Sequence, residues 1–137
     1  MRTWTINLST LDVKRLTGVW REMLLAKKGI EYKLRGEKFA YQNHPQSKIF
    51  QHTDKPLHYI NTYLYYIFEE ACNRDYNFNG DKIDLNYVIE GLKIKVPTHQ
   101  VLFEYKHLSN KLGRYVNYAG TNALFEEDLN ICWNYEK

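Results

Sequence analysis

The stretch STLDVKRLTGVWREMLLAKKG, residues 9–29, is the clearest indication that the fold is helical. Its apolar side chains recur at the spacing of one helix face and are Leu16, Val19, Trp20, Met23 and Leu24. Capping side chains stand at the start of the stretch, and Lys27 and Lys28 suit a helix C-terminus. The pattern therefore predicts a first amphipathic helix that ends near Gly29.

Two further long helices are predicted downstream. One begins around Pro56, a residue tolerated in a first turn, and stops before the turn-rich residues 77–81. Its apolar face comprises Leu57, Ile60, Leu64, Ile67, Phe68 and Ala71. The other follows Pro97 and ends at Gly113. Its apolar face comprises Val101, Leu102, Tyr105, Leu108 and Leu112.

The remaining segments indicate little regular structure. A short helix is expected after Pro45, and residues 92–96 alternate as a strand does but have no identifiable partner strand. The apolar residues of the tail are expected to pack on the body: Phe125, Leu129, Ile131 and Trp133. We predict an all-α fold over residues 1–137, a single compact domain with three main helices and long loops.

The composition excludes several classes of protein. The chain is 44% hydrophobic and 26% charged, as globular proteins are, which excludes disordered, collagen-like and coiled-coil chains. No apolar run approaches the roughly 18 residues that cross a bilayer, and no signal segment opens the chain. Cys72 and Cys132 are too few for a disulfide scaffold. We expect a cytoplasmic protein without a membrane partner, in which Cys72 is a buried or half-buried thiol.

Positive charge is concentrated in the first part of the chain. Residues 1–55 carry 11 Lys and Arg against 5 Asp and Glu, whereas residues 56–137 carry 8 against 11. Such an asymmetry favours an anionic partner for the first part, although a chance bias on a solvated surface explains it equally well. Most of the 12 Tyr, 6 Phe and 3 Trp are expected in the core.

The polar side of the first helix carries Lys14, Arg15, Arg21 and Lys28 with a single acid, Glu22, among them. One interpretation is a solvated cationic face with a compensating carboxylate; periodicity alone favours it. The other is a phosphate-binding surface with one acid placed to act on a bound sugar. Neighbouring cations would keep that acid ionised.

The motifs of P-loop nucleotide hydrolysis and of α/β-hydrolases are absent from the sequence. It contains no phosphate-binding G-x-x-x-x-G-K-[ST], no G-x-G-x-x-G and no G-x-S-x-G. Its five histidines show no H-E-x-x-H spacing, and its two cysteines are far apart in the chain. We therefore predict neither a metal site nor a cofactor.

Several segments, in order and at consistent spacing, carry a specific resemblance. They are Met1-Arg2-x-Trp4, Leu11-Asp12, Trp20-Arg21-Glu22-x-Leu24-Leu25-Ala26, Tyr41-Gln42-Asn43-His44-Pro45-Gln46 and Glu70-Ala71-Cys72-Asn73-Arg74-Asp75-Tyr76-Asn77-Phe78. Together they resemble the pyrimidine-dimer DNA glycosylases, the phage-type endonuclease V family. The resemblance covers residues 1–80 well and 97–112 more loosely.

The resemblance implies a compact helical enzyme of DNA repair. Such an enzyme cleaves the glycosidic bond at ultraviolet-induced pyrimidine dimers in double-stranded DNA and then nicks the backbone by β-elimination. Its nucleophile is the chain's own α-amino group, here that of Met1, assisted by a glutamate that matches Glu22. An α-amine has a pKa of about 7.7–8.0, so much more of it is free base at neutral pH than of a lysine, and it can form an imine with the sugar.

The resemblance also implies residues that bind DNA. Arg2 and Arg21 match family positions near the scissile bond. Further phosphate candidates, without a residue-by-residue match, are Lys14, Arg15, Lys27, Lys28, Lys33 and Arg35. His44 belongs to a segment, residues 41–46, that either touches DNA or forms a structural turn. Trp4 and Trp20 are expected in the core, where they would hold the N-terminus against the first helix.

Two departures from the family pattern leave the lesion range open. Leu25 stands where a second arginine is expected, and the C-terminal aromatic and basic cluster is reduced to Trp133, Tyr135 and Lys137. The alternatives are a lyase of the same chemistry acting on abasic sites or another lesion, and a non-catalytic DNA-binding module. A monomer that associates with the genome is expected in each case.

Overall fold

The computed structural model describes residues 3–39 and 45–132, except for the side chains of Pro45 and Gln46. Within these ranges the regular elements, in chain order, are α1 (Val13–Leu34), α2 (Pro45–Gln51), α3 (Pro56–Asn73), β1 (Ile94–Pro97), α4 (Thr98–Leu112) and β2 (Phe125–Asp128). Short 3-10 turns lie at Leu8–Thr10, Gly80–Lys82 and Leu85–Tyr87. The three predicted long helices and the short helix after Pro45 are confirmed.

The prediction that the first helix ends near Gly29 is wrong. α1 continues to Leu34, and Gly29 is buried inside it. A glycine inside a helix costs about 1 kcal/mol relative to alanine. Burial of Ile30 one residue later outweighs that cost, because it extends the apolar face of α1 by another turn. The chain leaves the helix at Gly36, whose φ of +75° suits glycine.

The all-α prediction is wrong in one respect, because a small parallel sheet accompanies the helices. β1 pairs with β2 in a register that runs from Ile94 opposite Phe125 to Pro97 opposite Asp128. The strand over residues 92–96 therefore has a partner, which lies in the tail. The sequence of β2, Phe-Glu-Glu-Asp, lacks the alternation that marks a half-buried strand. The parallel pairing is possible because α4 forms the crossover between the two strands.

The core lies where α1 packs on α3 and both contact α2. Trp4 and Trp20 are buried, as predicted, but in separate aromatic groups. The ring of Trp4 lies 5.2 Å from that of Phe125 and 6.1 Å from that of Phe50. The ring of Trp20 lies 5.2 Å from that of Phe78. The described ring contacts thus connect Trp4 with α2 and β2, and Trp20 with Phe68 on α3 and with Phe78 in the segment that follows α3.

Three expectations about burial are wrong. Cys72 is exposed near the end of α3, whereas a buried or half-buried thiol was expected. Leu102, assigned to the apolar face of α4, is 53% exposed, and Leu129 in the tail is 84% exposed. In α4 the inward position is held by Glu104 instead, which is completely buried.

Candidate active site and nucleic-acid interface

The outer side of α1 presents two neighbouring rows of polar side chains. Lys14, Arg21 and Lys28 recur every seven residues and are all exposed. Seven residues are close to two helical turns, so successive members of this row are about 10.5 Å apart along the axis. Arg15 and Glu22 form the adjacent row and are only partly exposed. The predicted acid therefore lies beside a line of cations on one helix.

A groove of about 410 Å³ borders the cationic row. It is lined by Arg21, Leu24, Leu25, Lys27, Lys28, Glu31 and Lys82. Four cations against one carboxylate make it electropositive, and the two leucines provide apolar surface. The structure thus brings together three predicted DNA-binding residues, Arg21, Lys27 and Lys28. Lys14 and Arg15 do not line this groove.

Lys82 belongs to the groove but was not predicted from the sequence. Its backbone carbonyl accepts a 2.6 Å hydrogen bond from Nζ of Lys27, which joins the turn Gly80–Lys82 to α1. The turn lies there because Gly80 fits against the ring of Phe68: an added Cβ would be 2.9 Å from that ring. No periodicity marks Lys82, since long-range aromatic packing brings it to α1.

Arg15 forms an ion pair at the N-terminal end of α1. Its Nη1 lies 3.1 Å from Oδ2 of Asp12, and both side chains are mostly buried. Asp12 occupies the N-cap position of α1, yet its side chain makes no capping hydrogen bond. The carboxylate compensates the charge of Arg15, so this residue is a weaker phosphate ligand than the exposed cations of the row.

A buried carboxylate holds the segment that leads to the N-terminus. Oε1 of Glu104 accepts hydrogen bonds from the backbone N–H groups of Trp4 at 2.7 Å and Thr5 at 2.8 Å. Its Oε2 accepts from the hydroxyl of Thr5 and from the amide of Gln100, both at 2.8 Å. Burial raises the pKa of Glu104 to about 7, because the loss of hydration outweighs these four hydrogen bonds.

The carbonyl of Trp4 is held by other side chains. It accepts hydrogen bonds from the hydroxyl of Tyr63 on α3 and, at 2.8 Å, from the side-chain amide of Asn122. The same amide also donates to the carbonyl of Ile6 at 3.2 Å. Burial, and secondarily the nearby Glu104, raises the pKa of Tyr63 well above its usual value, so its hydroxyl remains a donor. Side chains from separate parts of the fold therefore fix the backbone of residues 4–6.

Sequence reasoning missed Glu104, although its spacing carried a signal. Glu104 stands three residues after Val101 and four before Leu108, on the apolar face predicted for α4. A carboxylate on such a face must find hydrogen-bond donors when it is buried. Three of the four donors are in the N-terminal segment, about 100 residues away in the chain, and local spacing does not reveal them.

Some predicted site residues lie outside the described part of the chain. These are Met1, Arg2, His44 with its neighbours at 41–43, and the C-terminal Trp133, Tyr135 and Lys137. Residues 3–39 and 45–132 contain no group of three or more His, Cys, Asp or Glu side chains suited to a metal ion. None of the helices within those ranges has the length and apolar character needed to cross a membrane.

Comparison with known proteins gives one family match. A family model described as pyrimidine dimer DNA glycosylase matches residues 1–84. The matched region contains α1, α2 and α3, and it includes Glu22 and Lys82. No curated protein and no solved structure gives a significant match.

Proposed function

Because the chain belongs to the pyrimidine dimer DNA glycosylase family, we propose that it repairs double-stranded DNA at cyclobutane pyrimidine dimers. In this proposal the enzyme cleaves the glycosidic bond of one nucleotide of the dimer, whose base stays joined to its neighbour through the cyclobutane ring, and then nicks the strand as an abasic-site lyase. The observation that carries the proposal is the family match over residues 1–84, which includes Met1, Glu22 and both sides of the cationic groove.

The proposed nucleophile is the α-amine of Met1. Its lone pair attacks the anomeric carbon of the damaged nucleotide, and the glycosidic C–N bond breaks as the base leaves with the bonding pair. Loss of the amine protons and opening of the sugar ring give an imine. The imine acidifies the neighbouring sugar carbon, and removal of its proton expels the 3′ phosphate by β-elimination.

Glu22 is the proposed partner of that amine. As a carboxylate it stabilises the positively charged sugar that develops when the base leaves. It can then accept the proton that is lost in the elimination step. Its place beside the row of Lys14, Arg21 and Lys28 supports this role, because phosphates bound by those cations would bring the sugar close to its carboxylate.

The proposed DNA contact is the groove along α1. Arg21, Lys27, Lys28 and Lys82 can approach phosphate oxygens, while the two leucines lie against sugar edges. Dimers unstack more easily than normal base pairs, so local bending or nucleotide extrusion gives the amine access to the sugar. Binding of this kind weakens steeply as salt increases.

A lyase with a different lesion range is the second candidate function. One observation favours it: Leu25, where the resemblance leads one to expect an arginine, is a partly exposed wall of the groove. The loss of that cation changes how a lesion is held without removing Met1 or Glu22. The two candidates therefore share their chemistry and differ in substrate.

Strand nicking on three duplexes tests the proposal. The duplexes contain a single dimer, a single abasic site or no damage, and each is incubated with the wild type and with Glu22→Gln. We expect the wild type to cut the first two and Glu22→Gln to bind them without cutting. Glu126→Gln is the matched control, because this exposed carboxylate lies on β2 and not on α1.

The results separate the three functions. Cutting of abasic duplex alone favours the lyase of different lesion range. Absence of cutting on every duplex, with DNA binding unchanged in Glu22→Gln, favours the non-catalytic module and contradicts the proposed enzyme.

A further inference from the structure

Glu104 has no role in the chemistry proposed above, yet it is the most deeply buried carboxylate among the described residues. Its side chain is 0% exposed. Its four hydrogen-bond donors are neutral: two backbone N–H groups, the Thr5 hydroxyl and the Gln100 amide. A carboxylate in such a place is costly unless its oxygens are fully hydrogen-bonded. Three of its four hydrogen bonds go to Trp4 and Thr5.

We propose that Glu104 is a positioning residue for the proposed nucleophile: it fixes the backbone of Trp4 and Thr5, in the segment that leads to the N-terminal amine. This inference rests on the proposed function, in which that amine is the nucleophile. It assigns a part in catalysis to α4, which lies beyond the region matched by the family.

The geometry limits how far the amine can be from this anchor. Three residue steps separate Met1 from Trp4, and each spans at most about 3.3–3.6 Å, so the amine lies within about 11 Å of the anchored peptide. The backbone of Trp4 is held at both its N–H, by Glu104, and its carbonyl, by Tyr63 and Asn122.

Fixing the amine matters because nucleophilic attack is sensitive to distance. A misplacement of about 1 Å can lower a rate by about 100-fold. The α-amine belongs to a chain terminus, and chain termini in general are poorly ordered unless contacts hold them. Glu104 supplies such contacts where no regular strand or helix does, since Ile6 forms only an isolated bridge with Thr121.

The test compares Glu104→Ala with Glu104→Gln. Alanine removes the acceptor for Trp4 and Thr5. Glutamine retains a carbonyl oxygen for the two backbone donors, and the Thr5 hydroxyl can rotate to accept from its amide. Asn61→Ala is the control, because Asn61 is equally buried and binds the backbone N–H of Asp84, away from the N-terminal segment.

Two quantities are measured on each variant that circular dichroism shows to be folded. One is the single-turnover rate of borohydride trapping on a saturating abasic duplex, and the other is the Kd for that duplex. We expect Glu104→Ala to trap at least about 10-fold more slowly than wild type with its Kd within about threefold. Glu104→Gln and Asn61→Ala are expected to trap at the wild-type rate.

Each outcome supports or overturns the inference. Trapping by folded Glu104→Ala at the wild-type rate overturns it while leaving the proposed function intact. Absence of trapping by the wild type overturns the proposed function and this inference with it. If Glu104→Ala does not fold, Glu104→Asp decides: its shorter side chain keeps the carboxylate but withdraws it from the N–H groups of Trp4 and Thr5, and trapping at the wild-type rate overturns the inference.

Discussion

The backbone N–H of Trp4 donates a 2.7 Å hydrogen bond to the carboxylate of Glu104, although the two residues are 100 positions apart. This contact ties the start of the chain to α4, outside the family-matched residues 1–84. The N-terminal segment is thereby part of the core, and residues on both sides of position 84, namely Tyr63, Glu104 and Asn122, hold Trp4 in it.

The stability of the protein is expected to depend on the ionisation of Glu104. Its pKa is raised from 4.5 to about 7 by burial, so the folded state binds this proton more tightly than the unfolded state does. The resulting stabilisation is complete below about pH 4.5, declines as the pH rises and is lost above about pH 7. The decline corresponds to about 3 kcal/mol of unfolding free energy.

Urea denaturation at several pH values checks this prediction. The free energy of unfolding of the wild type should fall between pH 4.5 and 7 relative to that of Glu104→Gln, which does not titrate. The control Glu126→Gln, at an exposed site, should follow the wild type. Parallel curves for wild type and Glu104→Gln across this range would contradict the prediction.

Lys28 and Lys82 are expected to contribute to DNA affinity through phosphate contacts. Each alanine substitution removes one cation from the groove. It should reduce the steepness with which the logarithm of the DNA-binding constant falls with the logarithm of the salt concentration by about 0.9. The measurement is a fluorescence-anisotropy titration with undamaged duplex at several salt concentrations. Lys106→Ala is the control, because Lys106 is exposed on α4 and does not line the groove. A Lys82→Ala slope equal to that of Lys106→Ala would exclude Lys82 from the interface.

Gly80 is expected to tolerate no side chain. An alanine Cβ would lie 2.9 Å from the ring of Phe68, so the Phe68 ring, which packs on Trp20, or the turn carrying Lys82 must shift. Such overpacking costs about 1–3 kcal/mol, and we expect Gly80→Ala to lower both stability and DNA affinity. The matched control is Gly18→Ala in α1: with nothing within 4 Å of the added atom, it should raise stability by up to about 1 kcal/mol. Equal melting temperatures for Gly80→Ala and Gly18→Ala would show that Gly80 does not fit tightly against Phe68.

The sequence predicts the helices because their signals are local. Leu16, Val19 and Met23 lie on one face of α1 whatever the rest of the chain does, and they are buried as predicted. The end of α1 was misplaced because burial of Ile30 overrides a local glycine signal. β2 was missed because a strand of four residues with three acids has no apolar alternation.

The candidate site likewise contains residues that local spacing predicts and residues that it does not predict. Arg21, Lys27 and Lys28 share one helix, so spacing alone places them close together. Lys82 and Glu104 reach their places through contacts with distant segments, namely the Lys27 side chain and the Trp4 backbone. Such contacts depend on how the elements pack, and local periodicity contains no information about that packing.

Borohydride trapping on a duplex that contains a pyrimidine dimer tests directly whether the Met1 amine is the nucleophile. Protein that begins at Met1 is mixed with the duplex and reductant, and the covalent adduct is digested and mapped by mass spectrometry. We predict an adduct at the Met1 amine of the wild type, and none when that amine is acetylated. An adduct on a lysine side chain, or an equal yield from the acetylated protein, would contradict the account.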